Sequence, residues 1–294
     1  MKVLNFGSLN IDHTYYLNHF PAKGETISSF LYEKNCGGKG LNQSVALKRA
    51  GCDVIHIGKI GKDGEMLLNI LKEENINSDY VIISDDVPSG HAIIFIDKNG
   101  ENTIVIYPGA NKEIEVSQID RALAIGEVDD IVLIQNEINN IDYIATKAKE
   151  LGLRVVFNPA PFSDLDEFPF DLVDILILNE TEGLKFTGED DPNKTLEEIA
   201  ERYPDIKIVL TLGERGSIYK FKGEKLFFNA YPVDVVDTTA AGDTFIGFFL
   251  SGILNGKNIN DCFKDATLAA AISVTRKGAI KSIPRLEELN IEKV

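Results

Sequence analysis

The chain has 294 residues, 44% of them hydrophobic, enough for one large α/β domain with a substantial core. A formal charge of −16 argues against nucleic-acid or anionic-membrane partners, because the average surface field repels both. Three scattered cysteines, Cys36, Cys52 and Cys262, make no disulfide framework, no CxxC or HExxH zinc spacing occurs, and the four histidines form no ligand spacing. The opening "MKVLNFGSLNIDH" turns polar quickly and no apolar run reaches the ~18 residues of a spanning helix. A soluble, unprocessed cytoplasmic protein is expected.

In chain order, the short β-rich runs "KVLNFGS", "VIHIGKIG", "DIVLIQN", "RVVFNPA", "DILILN" and "KIVLTLG" alternate with helical patterns such as "GLNQSVALKRAG", "GEMLLNILKEENI", "IDYIATKAKELG" and "TLEEIAERYP". That order predicts a mostly parallel sheet with helices on both faces and ligands gathered at the carboxyl ends of its strands. Residues 14–35 and 89–108 break the rhythm and are expected to form a small separate sheet. In the second segment, "HAIIFIDKNGENTIVIYP" reads as two strands joined around Asn99-Gly100. Ile93 to Ile96 and Ile104 to Ile106 are apolar on both pleat faces, which suits a lid with ligand below and a partner subunit above. The plainer reading is a hairpin packed on its own domain. No repeat or linker divides the chain, so residues 1–294 are read as a single α/β domain.

The stretch "TTAAGDTFIGFFLSGIL" sets small residues and Asp243 before a helix with almost no polar face. A buried helix start leaves backbone N–H groups for a ligand, Gly242 relieves the turn sterically, and the whole makes an anion site. Acid and anion site together suggest phosphoryl transfer to a hydroxyl, with Asp243 accepting the proton. Alternatively, Asp243 is only a helix N-cap. No Walker A or GxGxxG spacing is present. Asn10 and Asp12 at the end of the first strand, Asn42 in "NCGGKGLNQSVA" and Glu137 after "DIVLIQN" suit vicinal hydroxyls, and each also reads as a cap or turn residue. Asn179 and Glu182 of "LNETEG" suit either a water-mediated magnesium shell or a capping arrangement. "TLGERGS" suits nucleotide phosphates or a hairpin, and the carbonyls of "VTRKGAIKSIP" suit a monovalent cation with Asp237.

Taken together, "VDTTAAGDTF", "GGKGLNQSVALKRAG", "GSLNIDH", "FPAKGET", "GENTIVIYPGAN", "NPAP", "LNETE", "TLGERG" and "VTRKGA" resemble, in order and nearly end to end, the PfkB family of carbohydrate kinases and within it the ribokinase branch. The resemblance implies a ribokinase-like three-layer α/β/α domain with a small β lid that also forms a homodimer contact. It implies ATP-dependent phosphorylation of the 5-hydroxyl of D-ribose, with Asp243 as base and the amides of Ala240, Ala241 and Gly242 as anion hole. Asn10, Asp12, Gly38, Lys39, Asn42 and Glu137 match sugar-holding positions. Asn179, Thr211, Gly213, Gly216 and Gly242 match the ATP site, with Thr267 where the branch often has a histidine near the adenine. Asp237, Thr239, Ser273, Arg276, Gly278 and Ser282 match a potassium site, several through main-chain oxygens. Cys36 replaces an aromatic residue frequent before the double glycine. Another sugar or a nucleoside as substrate, or a catalytically silent sugar sensor, are the rival readings.

Overall fold

The alternation along the chain resolves into two sheets in the computed structural model, which describes residues 1–289. In chain order the first elements are β1 (Val3–Phe6), β2 (Asn10–Tyr16), β3 (Leu31–Gly37), α1 (Lys39–Arg49), β4 (Val54–Gly61), α2 (Glu65–Glu73), β5 (Asn77–Ser84), β6 (Gly90–Ile96), β7 (Asn102–Tyr107), α3 (Val116–Leu123), β8 (Ile131–Gln135) and α4 (Ile141–Glu150). Then follow β9 (Arg154–Asn158), β10 (Ile175–Asn179), α5 (Glu180–Thr187), α6 (Pro192–Arg202), β11 (Lys207–Thr211), β12 (Ser217–Phe221), β13 (Glu224–Phe228), α7 (Ala241–Leu254) and α8 (Ile259–Val274).

The larger sheet has the order β13-β12-β11-β10-β9-β8-β1-β4-β5. It is parallel from β11 to β5 and closes with two antiparallel pairs, β11–β12 and β12–β13. Successive strand residues feed opposite cores, which is why the strands read as mainly apolar runs and not as alternating ones. Val3, Ile131 and Leu133 join Leu41, Phe248 and Phe263 from α1, α7 and α8. Leu4, Val132 and Ile134 join Ile119, Ile144 and Ile199 from α3, α4 and α6. This is the expected three-layer α/β/α arrangement.

Helix α7 is buried continuously from Asp243 to Gly252, as its lack of a polar face predicts. It crosses α1 so closely that a Cβ on Gly247 would lie 2.7 Å from backbone atoms of Ala46 and Leu47. Close crossing brings the first turns of α1 and α7 together at the carboxyl side of the sheet.

The smaller sheet has the order β3-β2-β6-β7, with β2 and β6 parallel and the outer pairs antiparallel. Its hairpin turns at Asp97–Glu101, with Gly100 at φ 83°. The first lid segment differs from expectation: its strands are Asn10–Tyr16 and Leu31–Gly37, so Asn10 and Asp12 open β2 instead of ending β1. The chain leaves the core sheet at Phe6 and re-pairs with Gly37 and Gly90 from Asn10 onward. β5 and the β12–β13 hairpin are additional strands that sequence patterning did not single out.

Candidate active site

Helix α7 begins at Ala241, and the residue before it, Ala240, is left-handed with φ 61° and no capping side chain. Such a conformation costs a non-glycine residue on the order of 1 kcal/mol. It turns successive amides toward the cleft. Ala241 N–H is taken by the Thr238 carbonyl at 3.2 Å, whereas the amides of Ala240, Gly242 and Asp243 have no protein acceptor among the described residues. The open donor set therefore contains Asp243 in place of the expected Ala241. The special backbone conformation expected of Gly242 belongs to Ala240. Gly242 has a different property: a Cβ added there would meet nothing within 4 Å.

Asp243 is no N-cap. Its carboxylate turns toward α1, where Oδ2 accepts Asn42 Nδ2 at 3.0 Å and Oδ1 accepts Gln43 Nε2 at 2.9 Å. It is 8% exposed, at one wall of a cleft of about 210 Å³. Lys39, Asn158, Asn179, Glu182, Thr211 and Thr238 share that cleft with Ala240, Ala241 and Gly242. Burial opposes the charge on the half-buried Lys39, but the carboxylates of Asp243, Glu137 and Glu182 outweigh it and raise its pKa. A net acidic protein thus keeps a cation and open amides at one point, which is what an anionic ligand needs.

Asn179 and Glu182 form a complete capping box at the start of α5. Glu182 accepts from Asn179 N and Nδ2, each at 3.0 Å, and Asn179 Oδ1 accepts Glu182 N at 2.9 Å. Burial raises the Glu182 carboxyl above its ordinary range against the opposing Asn179 amide and Lys39. The capping arrangement and a place in the cleft coexist.

On the lid side, Asn10 and Asp12 lie two apart on one face of β2. Asn10 Oδ1 accepts Asn111 Nδ2 at 2.7 Å, leaving its own amide hydrogens free. Asn111 is itself fixed by Leu9 N at 3.0 Å. The Asp12 carboxyl folds over Gly37, where any Cβ would strike it, and has no hydrogen-bond partner among the described residues. Burial, with the Glu137 charge second, pushes its pKa up to about 7. Glu137 accepts from Ser8 Oγ and from Lys39 N at 3.0 Å, tying the loop before α1 to the end of β8. Gly38, at φ 95°, makes that loop's turn, and Gly40 sits so close to Gly7 and Ser8 that a side chain would collide.

The residues assigned to a monovalent cation also assemble in part. Asp237 Oδ1 accepts Thr239 N at 2.9 Å and Oγ1 at 2.6 Å, while Oδ2 accepts Gly278 N at 2.8 Å. Burial works against ionisation, but these bonds hold the carboxyl below its ordinary value. Ser273 and Ser282 are buried with hydroxyls turned to Ala270 and Ala279 carbonyls, and Arg276 pairs with Glu288. Among the described residues no group of three His, Cys, Asp or Glu side chains forms a metal cluster. Gly213 and Gly216 frame the turn after β11, outside the cleft that Thr211 lines. Thr267 lies on α8, also outside it, with its buried Oγ1 unpaired.

Five side chains that matter here were not foreseen: Ser8, Gln43, Asn111, Gln135 and Asn158. All five are neutral polar residues, Gln135 and Asn158 closing β8 and β9, Gln43 in the second turn of α1, and Ser8 and Asn111 in connections, and all are fully or nearly fully buried. Only the polar ends of the apolar runs, at Gln135 and Asn158, offered a signal in the sequence.

Residues 1–286 match the pfkB family carbohydrate kinases. The ribokinase of Haemophilus influenzae is 36% identical over 298 residues, covering 96% of this chain and 95% of that protein. The deoxyribokinase of Salmonella typhi is 32% identical, covering 99% and 98%. The solved structure of Arabidopsis thaliana ribokinase with ribose and ATP superposes with a TM-score of 0.87 at 29% identity, covering 98% of this chain and 97% of that one. A match over nearly the whole length, on a fold that opens helix amides beside a buried carboxylate, means that the chain belongs to the pfkB family of carbohydrate kinases.

Proposed function

We propose that this protein transfers the γ-phosphoryl group of ATP to the 5-hydroxyl of D-ribose. The observation that carries the reading is the position of Asp243: buried, held from behind by Asn42 and Gln43, and beside amides with no protein acceptor. Asp243 takes the hydroxyl proton as the sugar oxygen bonds to the γ-phosphorus. The bond from that phosphorus to the β–γ bridging oxygen breaks, and ADP leaves with the electron pair. Charge on the phosphoryl oxygens is met by the amides of Ala240, Gly242 and Asp243 and by Lys39. Asn10, Asp12, Asn42 and Glu137 hold the sugar, and Asn179 and Thr211 line the ATP side.

Magnesium fits this site as an ion held through water. Glu182 spends one acceptor position of each oxygen on Asn179 and retains the others for water. The ion would offset phosphate charge. Potassium fits the loop at Asp237 and Thr239 with the carbonyl-rich turn from Ser273 to Ser282, including Arg276 and Gly278. Asp237 supplies the charge, and Thr238, between Asp237 and Thr239, has the carbonyl that accepts Ala241 N at the helix mouth.

The single domain expected over residues 1–294, of which 290–294 lie outside the described residues, acts as one catalytic unit with the lid as its cover. Phe30, Tyr32, Ile104, Val105 and Ile106 are about half exposed or more, which supports a homodimer through the lids. Among the described residues no helix is long and apolar enough to cross a membrane, in keeping with a cytoplasmic enzyme. The similarity to a deoxyribokinase favours one second reading, deoxyribose as substrate.

ADP release from ATP and magnesium, measured with ribose, deoxyribose, arabinose, fructose and adenosine in potassium or sodium, tests these statements. Ribose-dependent turnover stimulated by potassium is expected. Turnover with deoxyribose alone replaces the substrate, and binding of sugar with no turnover at all would favour a sensor.

A further inference from the structure

Behind Asp243 runs a chain of buried amides that the reaction itself does not use. Gln43 Nε2 donates to Asp243 Oδ1 at 2.9 Å and to Asn158 Oδ1 at 3.1 Å, so both of its hydrogens are committed. Gln43 Oε1 accepts Gln135 Nε2 at 2.7 Å, and the second Gln135 hydrogen goes to Asn5 Oδ1 at 2.9 Å. Asn5 Nδ2 then donates to Gly40 O and Ser44 Oγ, each at 2.8 Å, and Ser44 meets His56 Nδ1 at 2.8 Å. Asn5, Gln43, Ser44, His56 and Gln135 are all 0% exposed.

The directions in this network are forced. Asn158 Nδ2 is spent on the Ile177 carbonyl at 2.9 Å, so its oxygen must face Gln43. Asn5 Nδ2 faces a backbone carbonyl, so its oxygen must face Gln135. With the Gln43 amide reversed, its oxygen would oppose the Asp243 carboxylate and Asn158 Oδ1, and its nitrogen would oppose the Gln135 nitrogen. Only one assignment satisfies all the donors.

We propose that Gln43 and Gln135 are positioning residues for phosphoryl transfer: Gln135 fixes which end of the Gln43 amide faces Asp243, and Gln43 fixes the rotation of the carboxylate. The inference rests on Asp243 being the base. With Oδ1 pinned by Gln43 and Oδ2 by Asn42, the plane of the carboxyl group is set before sugar arrives, so a fixed lone pair meets the hydroxyl. Gln135 does this without touching Asp243. It stands two residues before Glu137, at the end of the strand that ties down the loop leading into α1.

The test is steady-state kinetics with D-ribose varied at saturating ATP, on Gln43→Met, Gln135→Met, Asp243→Asn and the double variant Gln43→Met/Asp243→Asn. Both methionine changes keep side-chain length and remove the amide. Gln43→Met is expected to lower kcat about 10- to 100-fold with KM for ribose within about threefold. Gln135→Met is expected to lower kcat by a smaller factor, about three to ten, again at unchanged KM. In the Asp243→Asn background, Gln43→Met should cost nothing further, because its effect passes through the residue already lost.

A folded Gln43→Met protein with the parent's kcat overturns the proposal, as does an equal further loss in the Asp243→Asn background. If Gln43→Met does not fold, a folded Gln135→Met protein with the parent's kcat overturns it instead. Undiminished turnover by Asp243→Asn overturns the base assignment and this inference with it. An inactive Asp243→Asn beside an unimpaired Gln43→Met overturns the inference alone.

Discussion

Gly242→Ala separates stability from catalysis at the helix mouth. Gly242 is the second residue of α7, its φ is not positive, and an ideal Cβ there has no heavy atom within 4 Å. The substitution therefore brings no strain, and the better helix propensity of alanine, discounted for the first turn, should stabilise the fold by about 0.5 kcal/mol. For a chain of this size that raises Tm by about 1–2 °C. The added methyl stands in the cleft beside the open amides, where the transferring phosphoryl group has to approach. Displacing that group by about 1 Å should lower kcat roughly 100-fold. Thermal melting by circular dichroism and a coupled assay of ADP release read the two effects on the same preparation. A variant that melts slightly higher and turns over at the parent's rate would refute the placement of the phosphoryl group at these amides.

Asp12, pushed up to about 7, becomes a carboxylate only as pH rises through neutrality, so KM for the sugar should fall between about pH 6 and pH 8. Asp12→Asn should flatten that profile, and identical profiles would count against the role. Asn111→Leu should release Asn10 and raise KM for ribose several-fold, with the melting temperature serving as control for folding. Burial holds His56 neutral and pushes its pKa down to about 4, whereas an unfolded histidine titrates near 6.5. The unfolded chain takes up a proton that the folded one refuses, so stability should fall as pH drops from about 6.5 to about 4. In urea titrations, the parent's advantage over His56→Leu should shrink across that window. Val105→Asp should convert a dimer to a monomer in sedimentation, and a parent already monomeric at micromolar concentration would remove the lid interface.

The layered fold was legible because parallel strands covered on both faces must be largely apolar on both, and β1, β4, β8 and β10 are, apart from Asn5, His56, Lys59, Gln135 and Asn179. The site was legible where polar residues punctuate the carboxyl ends of those runs, as at Glu137 and Asn179. β5 and β13 escaped because their residues are all exposed or part-exposed and mixed in polarity, so neither periodicity stands out. Asn10 and Asp12 were placed on the wrong strand because nothing in "GSLN" marks the point where the chain leaves one sheet for another. The partners of Asp243 were harder still. Gln43 looks like any polar residue on a helix until α7 crosses above it, and that crossing is a tertiary fact, set by Gly247 packed on Ala46. The identity of the open amides depends on one left-handed alanine, a conformation that sequence does not favour there.

Strand β7 forms an outer edge of the lid sheet, and every one of its residues is exposed, including Ile104, Val105, Ile106 and Tyr107. An uncovered apolar edge is a template for any other strand it meets, so the feature that suits the proposed lid-to-lid dimer would equally invite unwanted assembly during synthesis. The net charge of −16 is a counterweight, since like-charged chains repel before their edges touch. Salt that screens this repulsion, or acid that titrates the carboxylates, should make colloidal behaviour depend on how quickly lids find each other. With the proposed dimer, solubility and assembly would be set by a kinetic race between two encounters at one edge.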